Sequence, residues 1–223
     1  MTVHELIRKL PDVAAVRDRS RAMAMLEAVL SPEWQYRYFS FDASWSPGVE
    51  VASMRDGSGN DYSLCFSGAG AFARGFDHES PMSPYRESPL RLWPRLVDEV
   101  PSVFREFVDE PAFTDPEGTT LRATVCFWRE VADSTWRCGA VELDISGRKD
   151  ADGADWLFSV LAEGTAEGYR HFAEEYYEVA PDLAAVRHIY ALKPLTDAVV
   201  TALNSEVSLS DLTHEISAIG YPT

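Results

Sequence analysis

The chain has 223 residues, 46% of them apolar and six of them Trp, with a formal charge of −16 at neutral pH. That length allows one large domain or two small ones, with a core that buries roughly 70% of the surface an unfolded chain exposes. No apolar run reaches the roughly 18 residues that a membrane-spanning helix needs, and the acidity argues against direct contact with nucleic acid.

The opening stretch, MTVHELIRKL, sets Glu5 and Arg8-Lys9 among its apolar residues and offers no small-residue cleavage site, so no signal peptide and a cytoplasmic location are expected. Thr2 to Leu10 can form a short helix with Leu6, Ile7 and Leu10 on one face, interrupted at Pro11-Asp12. Ser20 is placed to cap a second helix in which Met25, Leu26, Val29 and Leu30 repeat at helical spacing. From Gln35 to Trp45 the pattern becomes that of a strand, with Phe39, Phe41 and Trp45 on one side and Tyr36 and Tyr38 on the other. Pro47-Gly48 turns the chain into a second strand, Val49 to Arg55. The Asp56-Gly57-Ser58-Gly59-Asn60 connection then leads into Asp61 to Ser67, where Tyr62, Leu64 and Phe66 alternate with Ser63, Cys65 and Ser67. A fourth strand is expected from Ala71 to Phe76.

His78 to Arg86 has no periodicity and reads as a loop. Beyond it, Ser88 opens helical segments broken by Pro94 and Pro101, with Leu92, Leu96, Val97 and Val100 as one stripe and Val103, Phe104, Phe107 and Val108 as the next. Two more strands are expected, Thr119 to Arg129 and Thr135 to Leu143, followed by a polar loop from Gly147 to Gly153. Trp156 to Leu161 is too short to assign by period. Thr165 to Val179 is the clearest helix, with Tyr169, Phe172, Ala173 and Tyr176 on one face and Glu167, Glu174, Glu175 and Glu178 on the other. Leu183 to Tyr190 and Leu195 to Leu203 read as further helices, and Ser208 with Asp211 caps a final one that Gly220 stops. A meander of strands followed by helices, without βαβ alternation, predicts a single α+β domain over 1–223, an antiparallel sheet of about six strands covered by N- and C-terminal helices.

No motif for chemistry is complete. The five His form no HxH or HExxH pattern, and Asp77-His78-Glu79 are adjacent residues that an extended loop points in different directions. Ser67-Gly68-Ala69-Gly70 lacks the nucleophile of a GxSxG elbow. Neither glycine pair leads from a strand into a helix as a phosphate loop must, and the chain has only three Lys. Its preference for Arg over Lys fits a GC-rich bacterial genome. Cys65, Cys126 and Cys138 all fall in apolar stretches and read as reduced, buried thiols. No cofactor or metal is implied.

What remains is charge and its placement. Between Asp98 and Asp182 there are 20 acidic and 7 basic residues, a field that favours a basic protein partner. The leading expectation is therefore a non-enzymatic protein-binding module, in its sharpest form an immunity-type or inhibitor protein that neutralises a basic toxin. Its candidate contact residues are Arg55, Asp56, Asp77, His78 and Glu79 around the central hairpin, with Glu174 and Glu175 on the acidic helix. The alternative is an enzyme with its site near the Asp77–Glu79 loop, because titratable groups gather there at strand ends. A homodimer paired through the aromatic strand at Tyr36 to Trp45 is a third reading.

Overall fold

The computed structural model describes residues 1–143 and 150–223; the polar loop expected from Gly147 therefore begins outside the described residues. Helices α1 (Val3–Lys9) and α2 (Val13–Leu30) precede four consecutive strands, β1 (Phe39–Ser46), β2 (Val49–Arg55), β3 (Asp61–Ser67) and β4 (Gly70–Phe76). A short α3 (Arg105–Val108) leads to β5 (Val125–Glu130). The last third is helical: α4 (Ala154–Leu157), α5 (Ser159–Glu163), α6 (Ala166–Tyr176), α7 (Leu183–Tyr190), α8 (Asp197–Leu203) and α9 (Thr213–Ile219). The strands form one antiparallel sheet in the order β1-β2-β3-β4-β5. The fold is α+β as the strand meander and helical tail require. Among the described residues no helix is long and apolar enough to cross a membrane.

The sheet's register follows from its turns. Asp56 Oδ1 accepts hydrogen bonds from Ser58 N at 2.8 Å and Asn60 N at 3.1 Å, which closes the connection between β2 and β3. Cys65 then pairs with Phe72 and Ser67 with Gly70 across β3 and β4. Gly70 has φ +132°, and a Cβ there would stand 2.1 Å from the Arg129 carbonyl oxygen of β5, so only glycine allows that approach. Every residue of β4 is buried, as expected of a strand covered on both faces.

The chain makes two compact units, one of Met1–Val13 and Ser53–Ser159, the other of Ala14–Ala52 and Val160–Thr223. In the first, α1 packs on β5 and α4. Its centre is aromatic: Phe158 stacks on Tyr62 at 4.7 Å between ring centroids and meets Phe127 edge-on at 5.2 Å. In the second, α9 packs on β1, α6 on α7 and α7 on α8. Along α2 every residue from Ala22 to Val29 is buried. Phe172 of α6 lies 5.2 Å from Phe39 and 4.8 Å from Tyr38, centroid to centroid. Helices from the N-terminal and C-terminal segments thus cover the sheet.

Several elements differ from their sequence-based bounds. Helix α2 starts at Val13, and Ser20 lies inside it, buried, with its hydroxyl donating to Val16 O at 2.9 Å instead of capping an end. Trp34–Tyr36 is a 3-10 turn and the strand begins only at Phe39, so Tyr36 shares no strand face with Tyr38. The expected strand from Thr119 is shortened to Val125–Glu130, because Asp115 Oδ1 accepts from Thr119 N and Thr120 N and curls the preceding residues into a turn. The sixth strand is reduced to one bridge, Arg137 to Trp128. Gly139 stands against the Arg95 carbonyl there, with room for no Cβ. The proline-broken helix condenses to α3 and a 3-10 turn over Ser102–Phe104.

Candidate functional site

In the first unit, the residues that follow β4 are fixed from two directions. Asp56 Oδ2 accepts from Asn60 Nδ2 at 2.6 Å, and Asn60 Oδ1 in turn accepts from His78 N at 2.8 Å and faces His78 Nδ1 at 2.7 Å. A carbonyl oxygen can only accept, so His78 Nδ1 donates to Asn60, while Nε2 lies 4.0 Å from Glu79 Oε1. Asp77 is used differently. Its Oδ1 accepts from Glu79 N at 2.9 Å and its Oδ2 from Trp156 Nε1 at 3.3 Å. Gly153, with φ +78°, leaves room for it; a Cβ there would come within 2.6 Å of Asp77 Cβ.

Of the candidate residues in this unit, Asp56, Asp77, His78 and Glu79 are therefore gathered at one end of the sheet. Arg55 closes β2 beside them, half-buried, and that burial lowers its guanidinium pKa. Asp77 and His78 share no hydrogen bond: one orders its own turn, the other joins the β2–β3 connection. The loop offers one oriented imidazole, with no nucleophile hydrogen-bonded to it among the described residues. Among the described residues, no group of three His, Cys, Asp or Glu side chains is placed to hold a metal ion.

Glu174 and Glu175 belong to α6 in the second unit. Glu174 pairs with Arg170 at 2.8 Å and Glu175 with His171 at 3.5 Å, each one helical turn away. Thr165 caps this helix by accepting from Gly168 N at 3.0 Å, and Glu175 on its acidic side is 72% exposed.

Three features escaped the sequence reading. The first is a part-buried charge cluster in the first unit, where the buried Arg74 of β4 and the half-buried Arg122 both contact the carboxylate of Asp61. Arg74 also donates to Ser63 Oγ and to Arg122 O, both at 3.2 Å, and lies over the Phe113 ring. Burial lowers the Arg74 pKa and Asp61 opposes that shift. Cys126 sits opposite Arg74 in the register, and burial pushes its thiol up to about 12, far from a reactive thiolate. The second is Asp152, fully buried, whose oxygens accept from Val3 N at 2.7 Å and Ala154 N at 3.1 Å; burial raises its carboxyl pKa.

The third is in the second unit. A groove of about 540 Å³ is lined by four carboxylates, Glu33, Glu206, Asp211 and Glu215, and by Arg37. Arg37 is committed to the protein itself: it donates to Ser31 O at 2.9 Å, to Pro32 O at 2.8 Å and to Glu215 Oε2 at 2.7 Å. Asp211 accepts from Ser208 Oγ and N, which lowers its pKa and keeps it ionised. The groove therefore carries net negative charge. Beside it in the chain stand two large exposed aromatics, Trp34 at 57% and Tyr36 at 62%. The signals were in the sequence, as Glu33-Trp34-Gln35-Tyr36-Arg37 and Glu206 to Glu215, but they are about 170 residues apart and only folding joins them. Comparison of the chain with protein-family models, with curated proteins and with solved structures finds no match in any of the three.

Proposed function

We propose that the protein is an acidic binding module that captures a basic protein partner in the cytoplasm, in the manner of an immunity or inhibitor protein acting on a bacterial toxin. The acidic groove carries this reading: four carboxylates with one self-neutralised arginine form a receptor for lysine and arginine side chains. Trp34 and Tyr36 supply the amphipathic, rigid anchors that concentrate binding energy at protein interfaces. The charge of −16 adds long-range attraction that speeds encounter with a cationic surface. The three unpaired thiols fit a reducing compartment.

The same aromatics, with Trp45 at 43% exposure, are what a homodimer would use instead. Sedimentation at micromolar concentration separates these uses, and a monomer leaves the aromatics to the partner. The decisive measurement is affinity capture from the native host, repeated across salt concentrations and with a Glu33→Gln/Glu206→Gln double variant. A basic partner is expected, released by salt and held several-fold more weakly by the variant. Recovery of only neutral or acidic proteins, or a capture indifferent to salt and to the two substitutions, would refute the reading.

A further inference from the structure

In the first unit, the chain after the Asp77–Glu79 loop folds around a cleft of about 280 Å³. Its chemistry is the opposite of the groove's. Arg86 and Arg91 both line it, against one carboxylate, Glu87, and its apolar wall includes Met82 and Trp93. Several arginines elsewhere are answered by acids: Arg21 by Glu50, Arg170 by Glu174, Arg187 by Glu167. Arg91 is exposed, and among the described residues its guanidinium makes no hydrogen bond or ion pair.

Arg86 is held in place without being neutralised. Its Nε donates to Ser80 O at 3.2 Å and its Nη2 to Glu79 O at 2.7 Å, so two carbonyls orient the group and leave its charge and Nη1 unspent. The Arg91 backbone N donates to Pro84 O at 3.4 Å, which ties the two sides of the segment together. Ser83, also in the lining, has a buried hydroxyl with no hydrogen-bond partner among the described residues. Buried polar atoms in native proteins are nearly always paired, and the exceptions cluster where a ligand or water completes them.

We propose that this cleft binds a small organic anion: a carboxylate or phosphate monoester carried on a single planar ring system. Two guanidinium groups match the oxygens of such a head group, and planar forks recognise them better than point charges do. Trp93 and Met82 receive the ring. The volume lies just below the roughly 300–1,000 Å³ of pockets for drug-sized ligands, which limits the guest to one ring system. The site is separate from the acidic groove, so its failure would leave the basic-partner reading untouched.

The test is calorimetric titration of the full chain with phenyl phosphate and with indole-3-acetate, using benzyl alcohol as the neutral control. Saturable one-to-one binding of at least one anion is expected, with none for the alcohol. Arg91→Gln, at an exposed position, should weaken binding about tenfold, the scale of one lost charge-assisted contact. Arg170→Gln, on α6, should leave it unchanged. Circular dichroism of each variant confirms that the fold is retained. Absence of binding by both anions, equal binding of the alcohol, or an Arg91→Gln variant of wild-type affinity overturns the proposal.

Discussion

Glu27 is fully buried in the second unit, yet four donors converge on its carboxyl group. Tyr169 OH donates to Oε1 at 2.7 Å, while Tyr38 N at 2.7 Å, Phe39 N at 3.4 Å and the Tyr177 hydroxyl serve Oε2. Burial raises the Glu27 pKa, and the four donors pull against it without reversing the shift. A carboxyl group with a raised folded-state pKa is protonated in both states at low pH. As pH rises above about 4.3 the unfolded chain ionises first, and stability falls until the folded pKa is passed. Wild type should therefore lose stability relative to Glu27→Gln as pH increases through that window, which urea melts across pH would read directly. Glu27→Ala strands two tyrosine hydroxyls and two backbone amides, and at low pH, where Glu27 is protonated in both states, should cost about 2–4 kcal/mol, a loss that shrinks as pH rises through the same window. A pH-independent difference between wild type and Glu27→Gln would contradict this account. The residue was visible in the sequence as the only acid in the run from Ala22 to Val29, but its tyrosines lie over 140 positions away. At this scale the sequence names the anomaly and cannot name its partners.

Strands and helices were legible in proportion to how local their causes are. Val49 to Arg55, Asp61 to Ser67 and Leu183 to Tyr190 agree residue for residue, because alternation, helical period and flanking turns suffice to define them. Thr135 to Leu143 alternates just as well, but the backbone of Arg95 presses on Gly139, a contact no periodicity encodes. Ser20 looked like a cap and is a buried mid-helix hydroxyl, since an i−4 carbonyl satisfies it as well as a helix terminus would. The Asp77–Glu79 loop was found by its composition; that His78 is oriented through Asn60 while Asp77 orders a separate turn depended on side-chain hydrogen bonds between elements. Gly70 makes the same point from the other side: its φ of +132° and its approach to Arg129 O lie at the junction of β3, β4 and β5. Gly70→Ala should destabilise by at least about 2 kcal/mol, from backbone strain and a clash that β5 must move to relieve. Gly57→Ala, where no atom lies within 4 Å, isolates the strain alone and should cost less. Thermal unfolding of the two variants provides the comparison, and equal losses would show that close approach at Gly70 contributes nothing.

For the molecule as a whole, charge is the dominant sequence property and the groove is where it gains a shape. Self-repulsion at −16 disfavours the compact state. Adding salt at pH 7 should stabilise the free protein by about 1 kcal/mol, or roughly 2–4 °C in Tm. The same salt should weaken partner capture, so stability and affinity are expected to move in opposite directions. A Tm that falls with salt would mean that favourable ion pairs, such as Arg21–Glu50 and Arg37–Glu215, outweigh the net repulsion.

Neither compact unit is a continuous stretch of chain, and this sets an order of events during synthesis. The first unit has all of its parts once Ser159 has left the ribosome, whereas Ala14–Ala52 must wait for the residues from Val160 onward. Until they arrive, Glu27 of α2 lacks the Tyr169 and Tyr177 hydroxyls and Val29 O lacks the Asn204 amide. The nascent protein thus passes through a stage in which every residue of the first unit has been made while the buried run Ala22 to Val29 of α2 still lacks part of its final surroundings, and it is then that chaperones have something to hold.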